Sequence, residues 1–144
     1  METTATIHAS NSNAQSEPLS KGRMWTARIM SGLPALFLLV DAVGKLVKPA
    51  PVVEGTLQLG YPESVILGLG IILLACTVLY IIPRTAILGA ILLTGYLGGA
   101  VAAHLRIADT ARAAIPLVVA IFAWGGLYLR DSRIRQLVPF RRSA

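Results

Sequence analysis

PESVILGLGIILLACTVLYIIPRTAILGAILLTGYLGGAVAAHL, residues 62–105, decides the fold. It holds two apolar runs, each about 20 residues long, on either side of Pro83-Arg84. At 1.5 Å per residue, a helix of that length matches a hydrocarbon layer ~30 Å thick. The joint between them is very tight, so the second run must return antiparallel beside the first. Helices are therefore expected over about 62–82 and 85–105. Pro62 suits a first helical position, and Glu63 complements the positive end of the helix dipole.

Two further spans flank this hairpin. The first is expected over about 24–47, with Trp25 at an interface and Pro34 bending the helix by removing one backbone bond. Lys48-Pro49-Ala50-Pro51 stops it. The following joint is moderately apolar, and a short helix lying in the interface is expected over 52–60. The fourth span is expected over about 111–129, with Asp109 or Thr110 as its cap and Pro116 near its first turn. Residues 1–23 form a polar tail with little to bury, expected to be disordered. That tail lacks the basic start and apolar core of a signal peptide. Residues 131–144 form a basic tail. The predicted architecture is an all-α membrane protein, an antiparallel four-transmembrane-helix bundle over 24–130.

Composition agrees with this reading. The chain of 144 residues is 55% hydrophobic and only 14% charged, where a soluble domain carries about 25% charged residues. Its net charge of +6 could suggest nucleic acid. Most cations, however, sit beside apolar runs, where they set topology and meet anionic headgroups. No basic patch is interleaved with exposed aromatics, so no nucleic-acid partner is expected. Lys21, Arg23, Arg28, Arg84, Arg130, Arg133, Arg135, Arg141 and Arg142 fall on one side, and Lys45, Lys48, Arg106 and Arg112 on the other. Nine against four predicts that both termini are cytoplasmic. The single cysteine, Cys76, lies in an apolar run and excludes an internal disulfide or a CxxC redox pair.

Within the spans, two groups of residues stand out. Gly95, Gly98, Gly99 and Ala103 make a small-residue stripe on the third span, expected to pack against a neighbouring helix of the bundle or, alternatively, a second copy. Asp41 and Lys45 lie four apart on one face of the first span, and each is expensive in hydrocarbon, where a charge at mid-helix costs about 2.5–3.5 kcal/mol. Lys45 can snorkel, whereas Asp41 is too short and needs a partner. His104 and Arg106 end the third span, and Arg106 lies eleven residues, close to three turns, after Gly95. Asp41, Lys45, His104 and Arg106 can therefore meet near the outer rim, joined by the hydroxyls of Tyr61 and Tyr96, with Asp109 and Arg112 at the mouth.

Two readings of this cluster stay open. It is either a salt-bridge network fixing helix register or a pocket for a polar head with an apolar tail, such as a quinone, whose carbonyls need hydrogen-bond donors. His104 also supplies an imidazole able to pass protons near neutral pH. A metal is not expected: His104 is the bundle's single histidine, His8 lies in the tail, and no ligand spacing accompanies them. No nucleophile elbow, P-loop or dinucleotide fingerprint is present, so no catalytic residue is named.

The chain resembles the DoxX-like family of small membrane proteins over roughly 27–138. The resemblance rests on an ordered set: LFLLVDAVGKL at 36–46, LGYP at 59–62, IPRT at 82–85, TGYLGGAVAAHLR at 94–106 and LYLRD at 127–131. Lys45, Gly95, Gly98, Gly99, His104 and Arg106 match its pattern. The resemblance implies a four-helix membrane protein associated with membrane redox complexes, the family including subunits of a thiosulfate:quinone oxidoreductase. A binding or accessory subunit of such a system is one expectation, with quinone as a non-covalent ligand and no covalent cofactor. A structural or assembly protein without small-molecule chemistry is a second, and a small oligomeric transporter a third. The absence of a cofactor motif argues against a stand-alone enzyme. Expected partners are the lipid bilayer, a membrane redox protein or further copies of the chain, and the expected location is the bacterial cytoplasmic (inner) membrane.

Overall fold

A computed structural model describes residues 21–137, and they fold into helices with no strand among them. Residues 1–20 and 138–144, most of the two expected tails, lie outside the described residues. The helices are α1 Lys21–Val47, α2 Ala50–Gln58, α3 Glu63–Ile81, α4 Ala86–Arg106, α5 Thr110–Arg130 and α6 Ser132–Leu137. Lys21 to Arg23, read from sequence as the end of the tail, are the first turn of α1. The helix also continues through Pro34, which is buried.

Four of these helices, α1, α3, α4 and α5, are long and apolar enough to cross a membrane. They stand in a ring in which each packs on its two neighbours: α1 on α3 and α5, and α4 on α3 and α5. The diagonal pairs α1–α4 and α3–α5 do not pack on each other through their backbones. One end of the bundle carries the α3–α4 hairpin and α6, and the other carries α2.

The hairpin end is solid. Leu38, Leu73, Cys76, Tyr80, Ala86, Ala90, Leu93, Ala123 and Leu127 form a buried cluster from mid-bundle to that end. Tyr80 bridges the diagonal there, its hydroxyl donating to the Ala123 carbonyl at 2.8 Å. Arg130 donates to the Tyr80 carbonyl at 2.9 Å and lies 5.2 Å from the ring centroid, which ties the ends of α3 and α5 together. The tight turn is closed by Thr85, whose hydroxyl donates to the Leu79 carbonyl at 2.9 Å and satisfies an orphan acceptor at the end of α3.

Close helix approach happens at glycines other than those of the third-span stripe. A Cβ on Gly126 would lie 2.6 Å from the Ser31 backbone nitrogen, and one on Gly70 would lie 3.3 Å from the Ala42 carbonyl oxygen. On Gly89 it would meet the Tyr80 Cα at 2.5 Å. At Gly95, Gly98 and Gly99 it would meet nothing within 4 Å. The stripe is therefore not filled by a helix of the same chain, and only Ala103 at its end is buried. The physical reason is the ring order: the stripe of α4 faces across the diagonal, where α1 stands too far away to enter the groove.

The approaches also show how α1 runs. It meets α5 most closely at Met30 and Ser31, near the hairpin end, and α3 at Ala42 and Lys45, near the α2 end. This leaning leaves space between α1 and the start of α5. Gly126→Ala is expected to destabilise the bundle by about 1–3 kcal/mol, since a methyl group must displace α1 backbone. Gly98→Ala is expected to be neutral within about 0.5 kcal/mol. Thermal unfolding of both variants in one detergent checks this, and equal losses would place the packing contact at the α4 stripe after all.

Candidate functional site

The space at the α2 end is a cavity of about 700 Å³. Its walls come from the residues that the missing α1–α4 contact leaves apart: Phe37, Leu38, Asp41 and Lys45 on one side, Gly95, Tyr96, Gly99, Ala100, Ala103 and His104 on the other. Arg112, Ile115 and Pro116 of α5 complete the wall, and Leu69 represents α3. The α2 helix covers the end with Pro51, Val52, Glu54, Gly55, Thr56 and Gln58.

Why α2 folds there follows from its ends. Pro49 and Pro51 stop α1 and start a new helix, because proline suits a first turn and disfavours helical backbone at the residue before it. Lys48, at φ 54°, makes the bend between them. Thr56 is the buried residue of α2, its hydroxyl donating to the Val52 carbonyl at 2.7 Å. Gly60, at φ 79°, turns the chain down into α3. Pro62 is the N-cap of α3 rather than its first helical residue.

Of the six ligand-binding candidates, Asp41, Lys45, Tyr61, Tyr96 and His104 line this cavity. Lys45 donates to both oxygens of Asp41 at 2.6 and 2.5 Å. The partner that Asp41 required is thus on its own helix, one turn on. The Lys45 side chain is only 14% exposed, while Asp41 is 37% exposed and keeps its carboxylate open to the cavity. On the facing wall, His104 Nδ1 lies 2.8 Å from the Ala100 carbonyl oxygen. At the α5 start, Asp109 caps the helix by accepting from the Arg112 backbone N–H at 3.0 Å, and the two side chains pair at 3.3 Å.

Arg106 behaves differently. Its guanidinium donates to the Leu59 carbonyl and lies against Gly60, where a Cβ would collide with it. It does not line the cavity. The helical phase that relates it to Gly95 holds, but it is the last residue of α4, and its long side chain swings up to pin the joint between α2 and α3. Sequence reasoning missed the covering residues Glu54 and Gln58 and the α5 wall at Ile115. The apolar–polar alternation of the joint signalled a helix but not what lay beneath it. Among the described residues no three His, Cys, Asp or Glu side chains gather as a metal site would require.

The outward faces of the four long helices are apolar: Val40 is 64% exposed and Ile121 60%, with Leu36, Ile71 and Ile91 likewise exposed. Water does not tolerate apolar surface on this scale, and hydrocarbon does. Fold and surface together define a multi-pass integral membrane protein with a ligand-sized cavity at one end of a four-helix bundle. The model of the DoxX-like family matches residues 29–126, and the chain belongs to that family. Neither the curated proteins nor the solved structures hold a significant match.

The ion pair gives the site's sharpest energetic test. Removing one member of a fully buried pair costs about 3–5 kcal/mol; with Asp41 over a third exposed, Lys45→Met is expected to cost about 2 kcal/mol. The double variant Asp41→Asn with Lys45→Met should recover most of that loss. Detergent-stability measurements over the mutant cycle check it, and additive losses would mean that the two side chains do not act as a pair.

Proposed function

We propose that this protein is a binding or accessory subunit of a membrane redox system that holds a quinone-like amphiphile at the α2 end. The observation that carries the reading is the cavity: large, walled mostly by apolar side chains and supplied on facing walls with a few polar groups. Its volume falls within the roughly 300–1,000 Å³ typical of small-molecule sites. Tyr61 and Tyr96 are hydroxyl donors for a polar head. Phe37 and Ile115 line the cavity and are half-exposed at its α1 and α5 walls, so an apolar tail can pass between these helices into lipid. The membership of the DoxX-like family supports the redox association.

The charge count of nine against four supports cytoplasmic termini and a cavity on the outer side of a bacterial cytoplasmic membrane. A quinone-like ligand exchanging with the bilayer needs no aqueous channel, which separates this reading from a transporter. The use of Arg106 to pin the joint, and the closed Asp41–Lys45 pair, favour the second reading of a structural or assembly protein without small-molecule chemistry.

The test is occupancy. Gly99 lines the cavity and a Cβ there would meet nothing within 4 Å, so Gly99→Phe places its ring in the cavity space. Organic extraction of the wild-type protein, purified from native membranes, should release an isoprenoid quinone at near-stoichiometric amount. The Gly99→Phe protein should release at least about fivefold less, at equal yield. Equal release from both, or no quinone from either, would favour the structural reading.

A further inference from the structure

We propose that the cavity selects the reduced, dihydroxylated form of its ligand's head, with His104 Nε2 accepting a hydrogen bond from one hydroxyl. This rests on the amphiphile-binding reading and adds which form of the head the site fits. The starting point is the imidazole of His104 at the end of α4. Its Nδ1 lies 2.8 Å from the Ala100 carbonyl oxygen. A carbonyl oxygen only accepts, so Nδ1 carries the hydrogen. In a neutral imidazole the other nitrogen then holds a lone pair and acts as an acceptor.

Helix geometry fixes this assignment. Ala100 is one turn before His104, so the backbone that places the ring also sets its tautomer. His104 lines the cavity, and no described residue donates to Nε2. On the facing wall Asp41 offers a second acceptor. Its two oxygens already receive Lys45, but a carboxylate has capacity for about four hydrogen bonds. Two of the three Lys45 hydrogens are occupied in that pair, so the cavity sets these two acceptors beside the donors Tyr61, Tyr96 and Arg112.

A quinone carbonyl can only accept. Beside Nε2 it would set lone pair against lone pair, and the imidazole acceptor would be left unpaired in an apolar space. A phenolic hydroxyl both donates and accepts. It can donate to His104 Nε2 or to the Asp41 carboxylate while accepting from the hydroxyl of Tyr96 or Tyr61. The two acceptors stand on facing walls, on helices whose backbones do not pack on each other, so a ring carrying hydroxyls at opposite positions can address both walls.

The experiment uses the full chain in lipid nanodiscs under anaerobic conditions, titrated separately with a decyl-chain benzohydroquinone and with the corresponding quinone. The hydroquinone is expected to bind roughly tenfold more tightly, the cost of stranding one acceptor. In His104→Phe, which keeps a flat ring but loses the acceptor, the ratio is expected to fall to about one. Equal or tighter binding of the quinone by the wild type overturns this inference and leaves the amphiphile site standing. Absence of binding by both compounds overturns the amphiphile reading itself. Full retention of the preference in His104→Phe overturns the assignment to His104. Should that variant fail to fold, the wild-type ratio alone decides.

Discussion

The structure depends on one constraint, the cost of placing charge and unpaired polar groups in hydrocarbon. Each span satisfies its backbone internally as a helix and turns apolar side chains outward. What remains is Asp41, whose short side chain cannot reach the interface from inside α1. Lys45, one turn further on, closes on it with two hydrogen bonds. The pair is set in the wall of a cavity, and its exposed face opens onto that space. The first span can carry two charged residues in its last two turns because the bundle leaves this space beside them.

The space in turn follows from where small residues permit contact. At the hairpin end, Gly89 and Gly126 let backbones meet, and Tyr80 with Arg130 bridges the gap that remains. At the α2 end, α1 leans onto α3 through Gly70 and away from the start of α5. Gly95 and Gly99 of α4 then face a void. Tightness at one end and openness at the other are two results of the same tilted helix. The α2 helix covers the void, and Arg106 holds its exit through the Leu59 carbonyl.

Much of this was legible in the chain. Run length and the Pro83-Arg84 joint specify four spans, because the bilayer thickness leaves few alternatives for an apolar run near 20 residues. The spacing of Asp41 and Lys45 specifies their shared face, and the helical phase of Gly95, Gly99 and Ala103 identifies one stripe of α4. Less legible was what that stripe faces. Small residues four apart permit a close neighbour but do not supply one, and ring order is set by contacts between residues far apart in sequence. The same limit applies to Arg106, whose flexible side chain can serve a cavity or a loop from one backbone position. Ile115 gave no signal, because an apolar residue lining a cavity reads like one facing lipid.

Four crossings of the bilayer, with the cavity on the proposed outer side, make the most direct test. Cysteine accessibility in intact cells tests this in a Cys76→Ala background, with Glu54→Cys on α2 and Arg84→Cys at the hairpin as the two reporters. A membrane-impermeant maleimide should label the Glu54→Cys protein from outside, and the Arg84→Cys protein only after the membrane is opened. Labelling of both from the same side would contradict the spanning arrangement, and the reverse pattern would contradict the orientation.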